Sequence, residues 1–423
     1  MARSKLKTSI LLVAGCLLFL FSQTMVLFEV LRPLADPRWY VTENVTEKQE
    51  PRITDFFQYY QASALARSDK SSRVYDPEVQ RQWVNDLITP LAMEKVFYNQ
   101  QPPSSYTLLY PLSFAPPNIA YVLWCLLQVI LGLAGLYFLL TLGPLSGGEH
   151  PGRNRAIFLA AAMSTFPAYA CLWHGNTTFF LIAFLGGYIY CFERGRDFLA
   201  GAFLSLATFK PQYLFAMMLP AVARGRLKIM ASFAVTELVL LGLAVPIIGI
   251  ENVLGYPSIV GHAESSAGFI GVNAEHMISI RGLLAQFVDT GASLKITAAI
   301  MFAGLIPLFF LWSRKKAHDY RLWGATVALA VLLSPHSHTF DFLLLAMPAA
   351  LTLSCLAPGE PDGRGRSWTL IGLIFVLSVP LSWLASFGLG YQRAPVLFFL
   401  PVVAALAVLY LIAPEGGKPR EMS

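Results

Sequence analysis

Read from its first residue, the chain alternates long apolar stretches with short polar breaks, and only one polar segment is sizeable. The first apolar block, about Thr8 to Val30, follows a basic start with Arg3, Lys5 and Lys7. Its length of ~23 residues suits a spanning helix better than a cleaved leader. A polar stretch, 31–106, comes next. Further apolar blocks then fall at about 117–141, 156–172, 177–192, 198–209, 212–223, 229–250, 293–312, 322–334, 339–356, 367–388 and 395–413. The pattern predicts an all-α polytopic membrane domain over 1–423, with about twelve transmembrane helices. Residues 31–106 form a long first loop outside the cytoplasm, carrying amphipathic helices.

The blocks are uneven. A span needs ~20 residues at 1.5 Å rise, yet 198–209 and 212–223 are each about twelve residues long, with Lys210 and Pro211 between them. Such a pair reaches part way and sets Lys210 at the tip of a shallow hairpin. The segments around His174–Asn176 and His336–His338 have the same form, short arms around a polar tip.

Composition supports this pattern. Of 423 residues, 56% are hydrophobic and 13% charged, about half the charge density of soluble domains; mean hydropathy is +0.56. Cytosolic enzymes, disordered chains and disulfide-stapled secreted domains are excluded, and lipid leaves the blocks no conformation but helix. The net charge of +6 is spread thinly and does not point to nucleic acid. It reports topology instead. With both termini inside, eighteen of the thirty-one Lys and Arg fall on inside segments, among them Arg153, Arg194, Arg224, Arg226, Lys315, Lys316, Arg321, Lys418 and Arg420. The outside then collects Asp55, His174, Asn176, Lys210, His262, Asn273, His276, Arg281, His336, His338 and Arg393. The five cysteines, Cys355 included, lie inside apolar blocks and suggest neither disulfides nor a metal site.

Several positions carry candidate chemistry. From Thr54 to Ala64 the loop reads as a helix start, with Thr54 able to cap it and aromatics at helical spacing. Its apolar side is expected in the headgroup region. Asp55 sits in its first turn and is a candidate general base, ahead of Asp76 and Asp36; the alternative is a carboxylate stabilised by the helix dipole. Lys210 suits a phosphate or snorkels from a helix end. Arg281 and Arg393 are phosphate candidates or interfacial anchors. His336 and His338 suit hydrogen bonds to phosphate or sugar, or a structural role, and zinc lacks further ligands at sensible spacing. Glu237, inside the 229–250 block, would be the coupling acid of a transporter, but a structural pair fits a lone acid better. No Walker A, GxGxxG or HExxH motif is present.

The ordered motifs resemble glycosyltransferase family 87. Asp55-Phe56 with Tyr59-Tyr60 and Ala62, followed by Val74-Tyr75-Asp76-Pro77, is similar to the family's first-loop motif. Tyr110-Pro111 with Pro116 resembles the motif before its second span. His174-Gly175-Asn176 stands where a Gly-Gln/Asn pair is usual, with His174 a departure. Gly201, Lys210 and Pro211, then Asn273, Ser279, Arg281 and Gly282, then Ser334-Pro335-His336, follow in family order. The resemblance implies a GT-C type enzyme of the bacterial inner membrane, facing the periplasm, that transfers a sugar, usually mannose, from a polyprenyl phosphate to a lipid-linked or glycan acceptor. It implies Asp55 as base, Lys210, Arg281 and His336 on the donor phosphate, and no metal or other cofactor. Tyr59, Tyr60, Asp76, Tyr110, His174, Asn176, Asn273 and His338 are expected to line the substrate cavity. A secondary transporter is the alternative, since twelve spans with broken helices fit one; against it, the halves show no repeat.

Overall fold

The apolar blocks become helices because each must satisfy its own backbone away from water. The computed structural model describes residues 2–36, 38–43, 49–51, 54–94, 96, 98–142, 151–265, 273–314, 319–352 and 364–413. Lys315, Lys316, Cys355, Lys418 and Arg420 lie outside the described residues, as do the side chains of Arg3, Lys5, Lys7 and His262.

Helix α1 (Ala2–Ala35) leads into a small antiparallel hairpin, β1 (Val41–Glu43) with β2 (Gln49–Pro51). The long loop continues with α2 (Asp55–Ala66), α3 (Pro77–Ile88) and α4 (Pro103–Leu109). The apolar helices follow: α5 (Pro117–Leu142), α6 (Pro151–Met163), α7 (Phe166–His174), α8 (Thr178–Glu193), α9 (Asp197–Leu206), α10 (Leu214–Met217), α11 (Leu219–Ala223) and α12 (Leu227–Ile248). After α13 (Ile250–Ser265) come α14 (Ile280–Leu284), α15 (Thr290–Arg314), α16 (Tyr320–Leu332), α17 (Ala346–Thr352), α18 (Arg364–Ala394) and α19 (Leu400–Ile412).

Helices fall where the apolar pattern puts them, but fewer reach full span length. Among the described residues six segments are long and apolar enough to cross a membrane: Val13–Ala35, α5, α12, α15, Leu370–Gly390 and Gln392–Ile412. The last two share one helical run broken at Gly390, whose φ is 75°. A further candidate is the pair α6 and α7, bent by 61°. The bend has a local cause. Thr165 caps α7 by accepting from the Ala168 N–H at 3.3 Å, and Pro167 in its first turn cannot continue the preceding helix. The remaining blocks are shorter arms. They break at Lys210-Pro211 and at residues 333–338, where polar side chains leave the helix to meet each other.

The outward faces of the long helices stay apolar: Leu17 is 61% exposed, Ile130 64%, Leu238 68% and Val376 64%. Such contiguous apolar exposure belongs against lipid. The shorter helices α8 and α16 form the middle instead, buried along most of their length. Small residues let the backbones close up, as in membrane bundles: a Cβ on Gly135 of α5 would lie 2.8 Å from the Ala183 backbone of α8.

One end of this core is tied by charge and aromatic contacts. Trp323 Nε1 donates to Glu193 Oε1 at 2.6 Å. Arg226 pairs with Asp197 and donates to the Phe192 carbonyl at 2.6 Å, and Arg224 lies over the Trp312 ring. Because α8, α9 and α16 each have an end in this knot, their opposite ends emerge together. Those ends carry Thr178, Lys210 and the 333–338 turn. Asp197 and Arg226 also flank the two arms around Lys210, so their pairing closes the hairpin predicted there.

Candidate functional site

Helix α2 sits against the emerging tips, and it is more deeply placed than expected. Phe56, Phe57, Tyr59, Tyr60, Gln61, Ala62, Ser63 and Leu65 are all buried, whereas an interfacial helix would leave one side to headgroups and water. The reason is in its sequence: four aromatics at 56, 57, 59 and 60 cover more than one face of the helix. They meet a second aromatic set from α5 and the preceding loop, with Phe56 to Tyr121 at 5.2 Å, Trp39 to Tyr121 at 4.6 Å and Tyr59 to Trp124 at 5.4 Å between ring centroids. Thr54 occupies the N-cap position but its side chain makes no cap bond.

The α7–α8 turn packs directly on α2. Gly175 ends α7 with φ 64°, and a Cβ there would stand 2.6 Å from the Phe56 Cβ, so both conformation and space demand glycine. Trp124 Nε1 donates to the Gly175 carbonyl at 2.8 Å, and the Tyr121 hydroxyl donates to the Leu172 carbonyl at 2.6 Å. The turn is therefore held from both sides, which fixes the next residue, Asn176.

Four elements meet here. Asn176 Nδ2 donates to Asp55 Oδ2 at 2.7 Å. Asn176 Oδ1 accepts from Lys210 Nζ at 2.9 Å and from the Thr178 hydroxyl at 3.0 Å. Lys210 Nζ pairs with Asp341 Oδ1 at 2.5 Å, and the Thr178 hydroxyl lies 2.8 Å from the same oxygen. Asp341 Oδ2 accepts from the His338 backbone N–H at 3.1 Å. Lys210 also lies 4.9 Å over the Phe340 ring. The result is an unbroken polar chain from Asp55 through Asn176 and Lys210 to Asp341.

Beside it stands a second group. Arg281 is fully buried, not an interfacial anchor, and donates to the Pro335 carbonyl at 3.0 Å with His336 Nε2 3.3 Å away. Gln212, two residues after Lys210, donates to the His336 carbonyl at 3.1 Å, and Tyr213 lies 3.2 Å from the Ser337 hydroxyl. The Ile278 N–H closes the set on the Ser337 carbonyl at 2.8 Å. Burial pushes the His338 imidazole down to about 4, against the opposing pull of Asp341 and Asp55. At neutral pH that ring is uncharged and can donate or accept a hydrogen bond. Tyr59 lies 3.5 Å from the Thr177 hydroxyl, and burial followed by the Asp55 charge raises its phenol well above the usual range, keeping it neutral.

The other expected residues divide. His174 is close, packing at 4.6 Å against Trp173 and 6.1 Å against Phe340. Tyr60 spends its hydroxyl on the Ala115 carbonyl, and the Tyr110 carbonyl accepts from Ser63, so both brace α2. Asn273 is exposed beside a 3-10 turn, and Arg393 is exposed at the end of α18; neither has a bond to the polar chain among the described residues. Glu237 accepts from Ser205 at 2.9 Å, a structural pair away from the tips. The described residues bring no three His, Cys, Asp or Glu side chains together as a metal cage.

The three loop acids also separate. Asp36 accepts from the Arg38 N–H, two residues on. Asp76 caps α3, accepting from the Glu78 and Val79 N–H groups, and pairs with Arg73. Of the three, Asp55 alone is bonded across to another element. Burial by itself raises the Asp76 carboxyl, but Arg73 and the two N–H groups outweigh it and hold it below the ordinary value. A depressed carboxyl contributes stability above its unfolded value of ~4 and loses it as pH falls through the folded one. Asp76→Ala is expected to cost about 0.5–2 kcal/mol at pH 7, read from thermal unfolding in detergent. The difference from wild type should shrink as pH drops below ~4.

Two acidic and hydroxyl partners went unforeseen, Asp341 and Thr178. Asp341 carried a usable signal, being an acid inside an apolar block, the same signal that singled out Glu237. Thr178 carried none, because threonine is common in spans.

Comparison with known families adds one match. The model described as glycosyltransferase family 87 matches residues 100–335, more than half the chain. That segment contains Asn176, Thr178, Lys210 and Arg281. It stops short of Asp55 on one side and of His336 and Asp341 on the other, and the hydrogen bonds supply that link. No curated protein matches the chain.

Proposed function

Since the chain belongs to glycosyltransferase family 87, and so is a membrane glycosyltransferase, we propose that it moves a hexose, mannose first, from a polyprenyl-phosphate donor to an acceptor outside the cytoplasm. Family membership displaces the transporter reading, and Glu237, paired with Ser205, gives that reading no support.

The observation that carries the proposal is the placement of Asp55. Its carboxylate is held by Asn176 at 2.7 Å, while the adjoining turn carries two imidazoles and is bonded by the buried Arg281 guanidinium of α14. Asp55 takes the proton of the acceptor hydroxyl as its oxygen attacks the anomeric carbon. The new C–O bond forms as the bond to the phosphate oxygen breaks, and that electron pair leaves with the phosphate. Arg281, His336 and Lys210 stabilise the charge that develops there. Attack opposite the leaving group inverts the anomeric centre. A low-dielectric, aromatic-walled site strengthens each of these contacts.

Two further features agree. A small apolar groove of about 90 Å³ lined by Phe158, Thr165, Phe342, Leu343 and Phe375 includes the residues that follow Asp341 and offers an isoprenoid chain an apolar wall. The arginines Arg194, Arg224, Arg226 and Arg321 gather at the end of the core opposite the tips, the arrangement of a cytoplasmic face with the site outside.

The test uses purified protein in liposomes with a membrane glycolipid extract as acceptor pool. Tritiated mannosyl polyprenyl phosphate and a tritiated nucleotide-mannose are offered separately. Label should pass from the lipid-linked donor alone. Transfer from the nucleotide-sugar, or from neither, would refute the donor assignment.

A further inference from the structure

We propose, resting on that functional reading, that Asp341 is a positioning residue: through Lys210 and Thr178 it fixes which end of the Asn176 amide faces Asp55. The two ends of an amide have nearly the same shape, so only hydrogen-bond partners decide between them. At Asn176 the decision is one-sided. Its oxygen receives the Lys210 ammonium at 2.9 Å, a donor without lone pairs that could not face the NH₂ end, and the Thr178 hydroxyl at 3.0 Å supports the same choice when its proton points to Asn176. The NH₂ must therefore point at Asp55, 2.7 Å away.

That choice has a chemical consequence. An NH₂ directed at Asp55 Oδ2 engages this oxygen as an acceptor and leaves Oδ1 to take the acceptor's proton. The reverse orientation would set the amide oxygen against the carboxylate, two acceptors facing each other, and the base would be pushed out of place.

Asp341 is placed to hold the decision. It is 1% exposed, and its two oxygens meet Lys210 at 2.5 Å, Thr178 at 2.8 Å and the His338 N–H at 3.1 Å. The Thr178 hydroxyl has one proton and two acceptors, Asn176 Oδ1 and Asp341 Oδ1, so it couples the amide to the acid directly. Lys210 couples them a second time. The lysine is thereby committed to Asn176 and Asp341 before any donor arrives, and the charge it lends a phosphate is set by how firmly Asp341 holds it.

Around Asp55, Asn176 bonds it directly, Lys210 and Asp341 follow along the polar chain, and His338 and Tyr59 feel its charge. Deleting the Asp341 charge takes from the Lys210 ammonium and the Thr178 hydroxyl their shared acceptor, so the Asn176 amide is no longer held one way. Transfer then slows because the base is less well held.

The experiment compares wild type, Asp341→Asn, Asp341→Glu and Thr178→Val in the liposome assay, with Asp55→Asn as the inactive control. Expected is a kcat loss of roughly 100-fold for Asp341→Asn with donor KM within about 3-fold. Asp341→Glu should recover part of the rate, and Thr178→Val should lose about 10-fold with no loss of folded protein. An unchanged kcat in folded Asp341→Asn, or a loss entirely in KM, would overturn the proposal. Wild type inactive with every donor would instead sink the functional reading. Labelling of Lys210 by a water-soluble acylating reagent, read by mass spectrometry, then decides the positioning role. Faster labelling in Asp341→Asn sustains it and unchanged labelling overturns it.

Discussion

Asp55→Asn should leave a folded protein that transfers almost no sugar. General-base assistance is worth about 10²–10⁴-fold, so kcat should fall by that factor with donor KM little changed. The fold should survive because Asp55 is only partly buried and, among the described residues, its side chain bonds the Asn176 amide. An amide in its place can offer an oxygen to the same NH₂ group, so the cost should stay near the ~1 kcal/mol of a single hydrogen bond. Single-turnover transfer from labelled mannosyl polyprenyl phosphate, with size-exclusion and thermal-unfolding controls, measures both quantities. Full activity in the variant would remove Asp55 from the role of base.

Lys210→Met should act first on stability. The lysine is 12% exposed and its partner Asp341 only 1%, so removing the cation strands a buried carboxylate. Breaking such a pair typically costs about 3–5 kcal/mol. Replacing both partners by apolar groups of similar size is often neutral, so Lys210→Met combined with Asp341→Leu should recover most of the lost unfolding temperature. Activity should not return with it, because the double variant lacks the ammonium that holds the Asn176 oxygen and leaves only the Thr178 hydroxyl on it. A double-mutant cycle separates the coupling from the single losses. A stable and active double variant would reduce the pair to scaffolding.

Much of this site could be read before any coordinates, and the misses share a cause. Lys210 was legible because a lysine between two half-length apolar arms has to meet something polar. Asn176 and the 333–338 turn were legible as polar tips of the same kind. What one-dimensional pattern could not supply was pairing. Asp341 and Glu237 look alike as acids in apolar blocks, yet one joins the tip chain and the other meets Ser205 within the bundle. The difference depends on which helix ends emerge together, and that is settled at the opposite end, by Glu193 with Trp323 and Asp197 with Arg226.

Helix α2 teaches a related point. Aromatic spacing identified the helix and put Asp55 in its first turn, but an interfacial setting was inferred where the chain buries nearly every side. Phe56, Phe57, Tyr59 and Tyr60 leave no clean polar face, and a helix apolar on most sides belongs inside. That burial matters for function, because it turns Asp55 from a surface carboxylate into one held by a fixed amide. Asn273 shows the converse: a motif position in the right order, exposed and apart from the tip chain in the fold. Among the described residues six apolar stretches have full span length, and the sequence pattern does not separate them from the shorter arms for a simpler reason. Hydropathy marks apolar stretches equally whether they cross the bilayer or stop at a polar tip half way.

The stereochemistry of a single transfer tests the central claim most directly. The proposed roles, Asp55 activating the acceptor and the adjoining turn holding the phosphate, require that the sugar be displaced once, from the side opposite its leaving group. A donor carrying ¹³C at the anomeric carbon, followed by NMR of the isolated product, should show that carbon inverted in every product molecule. Retention would require two displacements and a covalent sugar intermediate, and it would contradict Asp55 acting as a base.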